Sequence, residues 1–442
     1  MIRKLYRIAF KFYNLMLNRS QHLPMLKSFS RSQFRNAIEI PYKNKETIDK
    51  IKLDRLNYIL NYAINNIPYY KNIRIDNNNF TFNELNKFPI INKKIIRDNF
   101  ELFLPKSNKI ISRSISSHTS GSSGLPFHFY VPKNSYTIEN IFMFRAWYLT
   151  GVYKLGDPII NLRSYSPKSG EKYWSNDKEN NFIYLSAFHI NEKTINEYVE
   201  IINKSGSKIL RGYPSSIYIF SIEMQKANLK LLNIKAVITS SETLLPIYKD
   251  KIQEIINVPI FDWYGLNERL VTVQQCKNGN YHNNDDYGII EIGDKNHIIG
   301  TSLFNDVMPF IRYDTLDIAI KNDLTNTCDC GINFSIPFQG IEGRSDDLLY
   351  KFDNTPIPTV NLYTALYEIQ EIAQFKLVQL ENKSLELFIV LSKKNENLNM
   401  GNIEKIFKNR LGPLPINIYT VDYIERNSKT GKIKTFESKV KL

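Results

Sequence analysis

Cysteine is scarce in this sequence, which has 3 cysteines among 442 residues. So few thiols cannot build a disulfide framework, and we therefore expect a reducing compartment and a cytoplasmic protein. Apolar runs long enough to span a membrane are absent from the sequence. We expect no secretory signal, because Lys11 interrupts the first apolar stretch and no small-residue cleavage site follows.

Acidic residues are outnumbered, which gives a formal net charge of +14. Such a charge is compatible with nucleic acid, an anionic membrane or acidic small molecules, and equally with a coding bias toward Lys, Asn and Ile. The lysines are scattered rather than clustered with aromatics, so we expect no nucleic-acid partner. Met1–Arg19 predicts an amphipathic basic helix, which either docks on the core or makes a peripheral contact with the inner membrane or a lipid-linked glycan.

The order of helical and strand patterns predicts an α/β fold with two main domains. Strands alternate with helices between about residues 137 and 268, which indicates a largely parallel sheet. From about Tyr287 short strands crowd together and indicate a small antiparallel β-subdomain. Beyond Arg344 the pattern is that of a small α+β domain. We therefore divide the chain into a basic helical segment packed on the core (1–48), a large domain (49–343) and a C-terminal domain (344–442).

One stretch, "SISSHTSGSSGLPFHF", combines hydroxyl side chains with glycines that let a phosphate approach the backbone. The residues in question are Thr119, Ser120, Gly121, Ser122, Ser123 and Gly124. Gly124 is followed by Leu125 rather than by lysine, so the stretch is not the loop of a P-loop NTPase. Taken alone, such a stretch is more often a plain turn.

Four further motifs follow in a specific order and at specific separations: "DWYGLNE", "FIRYDTLDIAI", "EGRSDDLL" and "SKTGKIK". Together with the Ser/Gly stretch they resemble the adenylate-forming (AMP-forming) ligase superfamily, and within it the phenylacetate–CoA ligase family. The segments "ILRGYPSSIYIF" and "GKIKTFESKV" favour the branch associated with capsular polysaccharide biosynthesis. The resemblance extends from about Leu53 to the C-terminus.

The resemblance implies a large adenylation domain and a small mobile lid, and an enzyme that activates a carboxylic acid with ATP and Mg²⁺. The acyl adenylate would then pass its acyl group to an acceptor, with coenzyme A as the family default. An amide ligase that joins a sugar acid or an acyl group to an amine is an alternative. A further alternative is a non-catalytic relative that binds nucleotide or membrane.

The resemblance also implies roles for individual residues. The Ser/Gly stretch would cradle the β- and γ-phosphates, and Lys432 would bridge the carboxylate and the α-phosphate, with Lys434 as the other candidate. Glu268 would help to hold Mg²⁺, and Asp346 would be the hinge. The remaining nucleotide contacts would be Ser241, Glu242, Tyr264 against the adenine, Gly265, Asp317 at the ribose, and Arg344. Leu316 departs from the family pattern, which has glycine before that aspartate, and this puts the local backbone shape in doubt.

The acyl pocket is less well specified by the sequence. Its polar candidates are His189, Tyr213, Arg145 and Arg163. A basic group among them would suit a uronic or amino-sugar acid. The alternative for His189 is a satisfied histidine in the core, which is the more common role of a lone histidine on a strand.

All three cysteines fall in one limited stretch of the chain, near a histidine. Cys276, His282, Cys328 and Cys330 offer the thiolate and imidazole ligands that zinc prefers. Four ligands leave no open position, so the prediction is a structural zinc site rather than a catalytic one. The alternative is a set of buried or free thiols.

Overall fold

The computed structural model describes residues 31–75, 81–119, 127–163, 165, 167, 171–321, 328–344, 348–354, 356–358, 366, 369, 371–391, 398–426 and 433–440. The helix predicted for Met1–Arg19 lies outside these residues, as does most of a helix expected near 360–371. Within the described part of the chain, none of the helices is long and apolar enough to cross a membrane.

The described chain starts with two helices, α1 (Arg31–Glu39) and α2 (Lys45–Asn66). The Asn44 side chain caps α2 by accepting a hydrogen bond from the backbone N–H of Thr47 at 3.0 Å. Pro68 follows the end of α2 and cannot continue the helix. Two short helices, α3 (Lys93–Asp98) and α4 (Asn108–Ser112), lead into an antiparallel hairpin of β1 (Ser114–Thr119) and β2 (Phe127–Pro132).

An eight-stranded sheet forms the centre of the large domain, in the order β10-β9-β8-β7-β6-β3-β5-β4. The five strands from β8 to β5 in this order are parallel, and antiparallel strands flank them on both sides. The predicted parallel α/β sheet is therefore confirmed. Its strands are β3 (Ile159–Arg163), β4 (Trp174–Asp177), β5 (Phe182–Ser186), β6 (Ile209–Gly212), β7 (Ala236–Ser240), β8 (Ile260–Gly265), β9 (Thr272–Gln275) and β10 (Tyr281–Asn283).

The helices of this domain are α5 (Ser135–Leu149), α6 (Ile195–Ser205), α7 (Pro214–Lys226) and α8 (Pro246–Ile256). Successive side chains of a strand point to opposite faces of the sheet, and the two faces have different partners. Leu210 belongs to the apolar cluster that contains the buried side chains of α6, α7 and α8. Ile209 belongs to a separate cluster with Phe144 and Trp147 of α5. Arg211, two positions after Ile209, therefore lies on the α5 face.

A smaller antiparallel sheet follows, with strands β11 (Gly288–Ile292), β12 (His297–Ser302), β13 (Tyr313–Ile320) and β14 (Gly340–Arg344) in that order. This is the antiparallel subdomain predicted from about Tyr287. Phe127 and Phe129 of the hairpin share an apolar cluster with Phe310 and Tyr313. The cluster fixes the hairpin against the small sheet.

The C-terminal strands form a separate mixed sheet in the order β19-β18-β17-β20, with one helix, α9 (Met400–Leu411), among the described residues. The strands are β17 (Ile372–Gln379), β18 (Leu385–Leu391), β19 (Ile416–Thr420) and β20 (Phe436–Ser438), preceded by a ribbon of β15 (Leu348–Tyr350) and β16 (Pro356–Pro358). This confirms the predicted α+β pattern. The side chain of Gln379 hydrogen-bonds both the N–H and the C=O of Tyr350, at 2.9 and 2.8 Å, which holds the ribbon to this sheet. The domain boundary at residue 344 stays a prediction.

Candidate active site and metal centre

The Ser/Gly stretch predicted to hold phosphates joins the two strands of the hairpin. Ser120, Gly121, Ser122, Ser123 and Gly124 lie outside the described residues. Thr119 ends β1 and is paired in register with Phe127 at the start of β2. The predicted phosphate loop is thus carried by a hairpin that is anchored through its buried phenylalanines.

Three of the predicted nucleotide-site residues lie together between the large and small sheets. The hydroxyl of Tyr264, at the end of β8, donates a hydrogen bond to Oδ2 of Asp317 in β13 at 2.7 Å. Burial raises the pKa of Tyr264 well above its usual value, and the Asp317 carboxylate raises it further. Glu268 is buried and accepts a hydrogen bond from Tyr313 at 3.4 Å. The hydroxyl of Tyr264 thereby holds one oxygen of the Asp317 carboxylate in place.

Gly265 follows Tyr264 at the end of β8 and is closely packed. A Cβ at this position would lie 3.2 Å from Nε1 of Trp263. A larger residue here would press on a neighbour of the Tyr264–Asp317 pair.

The backbone at Leu316 takes the shape that a glycine would favour. Its φ is +63°, in the left-handed region that L-residues with a Cβ adopt at a cost. The N–H of Leu316 donates to Oδ1 of Asp314 at 2.9 Å, and that of Asp317 donates to the Thr315 hydroxyl at 3.1 Å. Side chains from the same strand thus hold Leu316 in a backbone conformation that is open to glycine.

Asp317 faces Arg344 across the strands β13 and β14, because the two residues are partners in the antiparallel register. Arg344 is described only in its backbone. Asp346, the predicted hinge, lies outside the described residues.

The "SSE" segment after β7 connects the large domain to the C-terminal part of the chain. Ser241 has a φ of +72°. The carboxylate of Glu242 accepts one hydrogen bond from the N–H of Ser215 and another from the N–H of Ile433, each at 3.2 Å. Lys432 itself lies outside the described residues, but its neighbour in sequence is held at this carboxylate. Arg426 adds a second contact by donating to the Ser216 hydroxyl at 2.9 Å.

Arg163 and Tyr213, both predicted for the acyl pocket, lie together. The guanidinium of Arg163 is 4.9 Å from the centre of the Tyr213 ring and donates to the Ser241 hydroxyl at 2.7 Å and the Ser240 hydroxyl at 3.1 Å. His189 lies one strand away, stacked on Tyr173 with ring centres 4.2 Å apart. Its Nδ1 is 2.8 Å from the Ser186 hydroxyl, and burial lowers its pKa.

Arg145 is not brought together with these residues. Its side chain is completely buried and forms two 2.7 Å bonds with the Asp286 carboxylate. It also donates to the backbone oxygen of Ala37 at 3.0 Å. The guanidinium is therefore engaged within the protein, and we assign Arg145 a structural role.

The sequence analysis did not single out Arg211, which the structure adds to this region. Arg211 lies on β6 directly across from Asn161 of β3, and its guanidinium is 3.3 Å from the Asn161 side-chain oxygen and 5.3 Å from the centre of the Trp147 ring. Burial and, to a smaller extent, the positive charge of Arg163 together lower the pKa of Arg211 to about 9. In the sequence, Arg211 is recognisable only as a charged residue within the short apolar strand β6.

No family model matches the chain. Protein CapK of Staphylococcus aureus is 24% identical over 401 residues, which are 86% of each protein. Among solved structures, 2-hydroxyisobutyryl-CoA ligase with 2-HIB-AMP in its postadenylation state superposes with a TM-score of 0.70 and 16% identity, over 90% of this chain and 91% of that one. The same ligase in its thioesterification state gives 0.58.

An amide bond synthetase, McbA from Marinactinospora thermotolerans, shares the fold at a TM-score of 0.50 and 10% identity, over 72% of this chain and 68% of that one. The chain has the fold of the adenylate-forming ligases. Within this adenylate-forming fold, the hairpin, the β8 end and β13 surround one site, and the Glu242 contact brings the C-terminal sheet to its edge.

The adenylate-forming fold also brings the predicted metal ligands together. Ligand atoms of Cys276, His282, Cys328 and Cys330 all lie within 4.8 Å of one another. Sγ of Cys276 is 3.7 Å from Sγ of Cys328, and Sγ of Cys330 is 3.4 Å from Nε2 of His282. Neighbouring ligands of a tetrahedral zinc, with bonds of about 2.1–2.3 Å, are about 3.6–3.8 Å apart. The donor set and its spacing therefore fit zinc.

Surrounding groups orient these ligands. Nδ1 of His282 is 3.1 Å from the backbone oxygen of Phe334, an arrangement that directs Nε2 toward the cysteines. The Asn280 amide donates to Sγ of Cys328 at 3.2 Å, and the N–H of Ile332 donates to Sγ of Cys330 at 3.4 Å. Ile48 and Phe334 pack against the cluster, so a metal here would join the β9–β10 hairpin to residues 328–334 beneath α2.

Proposed function

We propose that the chain is an AMP-forming ligase that activates a carboxylic acid with ATP and passes the acyl group to an acceptor. The observation that carries this proposal is the cluster of Tyr264, Asp317 and Glu268 between the two sheets, with Ile433 held at its edge by Glu242. These groups come from four separate parts of the sequence. Their meeting is expected if they serve one nucleotide.

In the first step, an oxygen of the acid attacks the α-phosphorus of ATP, and the bond to pyrophosphate breaks. Hydroxyls and N–H groups of residues 119–124 would stabilise the departing pyrophosphate, and Lys432 would neutralise charge on the α-phosphate and the acid. Asp317 would accept hydrogen bonds from the ribose, with its carboxylate oriented by Tyr264. Tyr264 would pack against the adenine.

Glu268 is the residue that would hold Mg²⁺. It is a buried carboxylate, and carboxylate oxygens are the ligands that Mg²⁺ prefers. Its described hydrogen bond, to Tyr313, is long at 3.4 Å, which leaves the group available to a cation. Bound Mg²⁺ would supply charge neutralisation on the phosphates.

Acyl transfer would require the C-terminal domain to turn about Asp346, so that Lys432 leaves and an acceptor enters. The structure is more similar to the postadenylation state of 2-hydroxyisobutyryl-CoA ligase than to its thioesterification state, which supports an arrangement suited to the first step. Coenzyme A is the acceptor that we propose first. An amine is the alternative, and the fold shared with an amide bond synthetase supports keeping it.

The proposed setting is capsular or other surface polysaccharide biosynthesis. The sequence motifs favour that branch, and the similarity to Protein CapK supports it. Zinc would serve this enzyme as a structural ion, because all four positions are occupied by protein ligands.

The test of activity is pyrophosphate release from ATP across a panel of carboxylic acids. Lys432→Ala is expected to lower the rate by at least about 100-fold, the scale seen when one transition-state donor is lost. Lys434→Ala is the matched control, because it removes an exposed lysine two residues away. If Lys434→Ala abolishes the rate and Lys432→Ala does not, the lysine assignment is wrong. If no acid supports release and AMP does not bind, the proposed function itself is wrong.

The acceptor is tested by incubating the preformed adenylate with coenzyme A or with amines and identifying the acyl product by mass spectrometry. A thioester supports the ligase with coenzyme A. An amide with no thioester supports the alternative.

A further inference from the structure

Two partly buried arginines, Arg163 and Arg211, occupy the α5 face of the large sheet. Among the described residues, neither forms an ion pair. The nearby carboxylate of Glu139 attracts Arg211 electrostatically, but its ion pair is with Arg269. Nε of Arg163 is buried and has no hydrogen-bond partner in the described structure. Two neighbouring guanidiniums without an ion pair repel each other, so a bound anion would stabilise this arrangement.

The two guanidiniums belong to one small region. Arg211 is across from Asn161, and Arg163 follows two residues later on the same face of β3, so the two side chains are neighbours. The phenol of Tyr184, on β5, interacts electrostatically with both. Tyr213 and Trp147 provide aromatic surfaces beside Arg163 and Arg211 respectively. The region is a cationic cluster flanked by aromatic rings, and we refer to it as the recess.

The recess adjoins the site of adenylation. Arg163 donates to the hydroxyl of Ser241, which precedes Glu242, and Glu242 holds the backbone next to Lys432. An acid whose reacting carboxylate lies at the nucleotide would therefore point its other end toward α5 and the two arginines. Planar guanidiniums bind carboxylate and phosphate oxygens through paired N–H groups.

We propose that Arg163 and Arg211 bind a second anionic group of the acid substrate, so that the enzyme selects acids that carry a negative charge besides the carboxylate that is activated. This inference rests on the proposed function and specifies its substrate class. Arg211, at the inner position, would be the specificity-determining residue, and Arg163 would hold the outer side of the group.

The test compares acids of equal chain length that end in a methyl, a carboxylate or a phosphate group. With the wild-type protein, kcat/KM for pyrophosphate release is expected to be at least tenfold higher for a doubly anionic acid than for its methyl counterpart. The carboxylate and phosphate members of each set identify which anion the recess accepts. Arg211→Met should remove the preference, with its main effect on KM for the doubly anionic acid.

Arg113→Met is the matched control, because it removes one exposed positive charge far from the recess in sequence. It should keep the preference. Arg163→Gln is a second variant at the outer position and should weaken the preference, which provides a test if Arg211→Met fails to fold. AMP affinity is measured for every variant and should be unchanged in Arg211→Met and Arg113→Met.

The results separate this proposal from the proposed function. If AMP binds and the wild type activates methyl-terminated acids as well as their doubly anionic counterparts, the recess does not bind a second anion, and the ligase assignment stands. If Arg211→Met lowers kcat/KM equally for both kinds of acid, the arginines act on the reacting carboxylate or the phosphate, and the proposal is overturned.

Discussion

Two polar regions beside α5 differ in how their charges are paired. In the first, Arg145 and Asp286 form a buried ion pair, and Asp285 accepts hydrogen bonds from the N–H and hydroxyl of Ser335 at 2.7 and 2.8 Å. In the second, at the candidate active site, the partly buried Arg163 and Arg211 form no ion pair among the described residues. The charges of the first region are balanced within the protein, and we propose that a substrate anion balances those of the second.

The same contrast applies to the backbone. Ser241 and Leu316, at the candidate nucleotide site, both have positive φ, a conformation that costs free energy in residues other than glycine. Strained backbone and charges without an ion pair are compatible with a binding site, where a ligand can supply the missing contacts. Substitutions in the first region should therefore affect stability, and substitutions in the second should affect binding and rate.

The largest expected effect on stability is that of Arg145→Met. It leaves the Asp286 carboxylate buried without its partner, and the free energy of unfolding should fall by about 3–5 kcal/mol. Urea denaturation measures this change. AMP affinity of the folded variant should equal that of the wild type. A variant with normal stability and altered acid preference would place Arg145 in the substrate pocket and remove the contrast.

Loss of the zinc ion should have the second largest effect on stability. Cys330→Ser removes one of the four ligands, and at free zinc about 100–1,000 times the dissociation constant the lost stabilisation is about 3–4 kcal/mol. Elemental analysis of the purified protein should give one zinc per chain for the wild type and less for the variant. Asn278→Ala is the control, because Asn278 contacts Cys328 from outside the ligand set. A wild-type protein that binds no zinc at neutral pH would contradict the prediction.

Leu316→Gly is expected to stabilise the protein by about 1 kcal/mol. It relieves the left-handed backbone of a residue with a Cβ, partly offset by the greater freedom of glycine in the unfolded chain. The midpoint of urea unfolding measures the gain. Ile318→Gly, in the same strand, should instead destabilise. A loss of stability in Leu316→Gly would mean that the leucine side chain outweighs the strain.

The smallest expected effect on stability is that of Arg211→Met. Replacing a partly buried cation that forms no ion pair by an apolar side chain should change the free energy of unfolding by less than about 1 kcal/mol, or raise it. The same denaturation experiment measures it beside Arg145→Met. If both variants lose about the same stability, the two regions do not differ as we propose.

The sequence predicted the sheet, the small β-subdomain and the α+β pattern of the C-terminal part, because periodicity and turn residues determine these locally. It also predicted the four candidate metal ligands, whose residue types are chemically distinctive and which the structure brings together. Leu316 shows a limit, since a leucine gives no sign that its φ is positive. Arg145 and Arg211 show another limit of the sequence, because both are arginines in apolar segments. Their different roles depend on Asp286, which pairs with Arg145 from 141 residues further along the chain.

The Glu242 carboxylate also affects the equilibrium between docked and undocked arrangements of the C-terminal sheet. Its hydrogen bond to the N–H of Ile433 involves a charged acceptor, and such bonds contribute about 1.5–3 kcal/mol. By itself that contribution would favour the docked arrangement of the C-terminal sheet about tenfold to a hundredfold. The Arg426–Ser216 hydrogen bond and the apolar cluster that both parts share add to this bias, so the Glu242 bond is one part of the docking free energy. Because the donor is the backbone N–H of Ile433, the side chain at position 433 can vary without loss of this contact. Replacing the acceptor, Glu242, removes it.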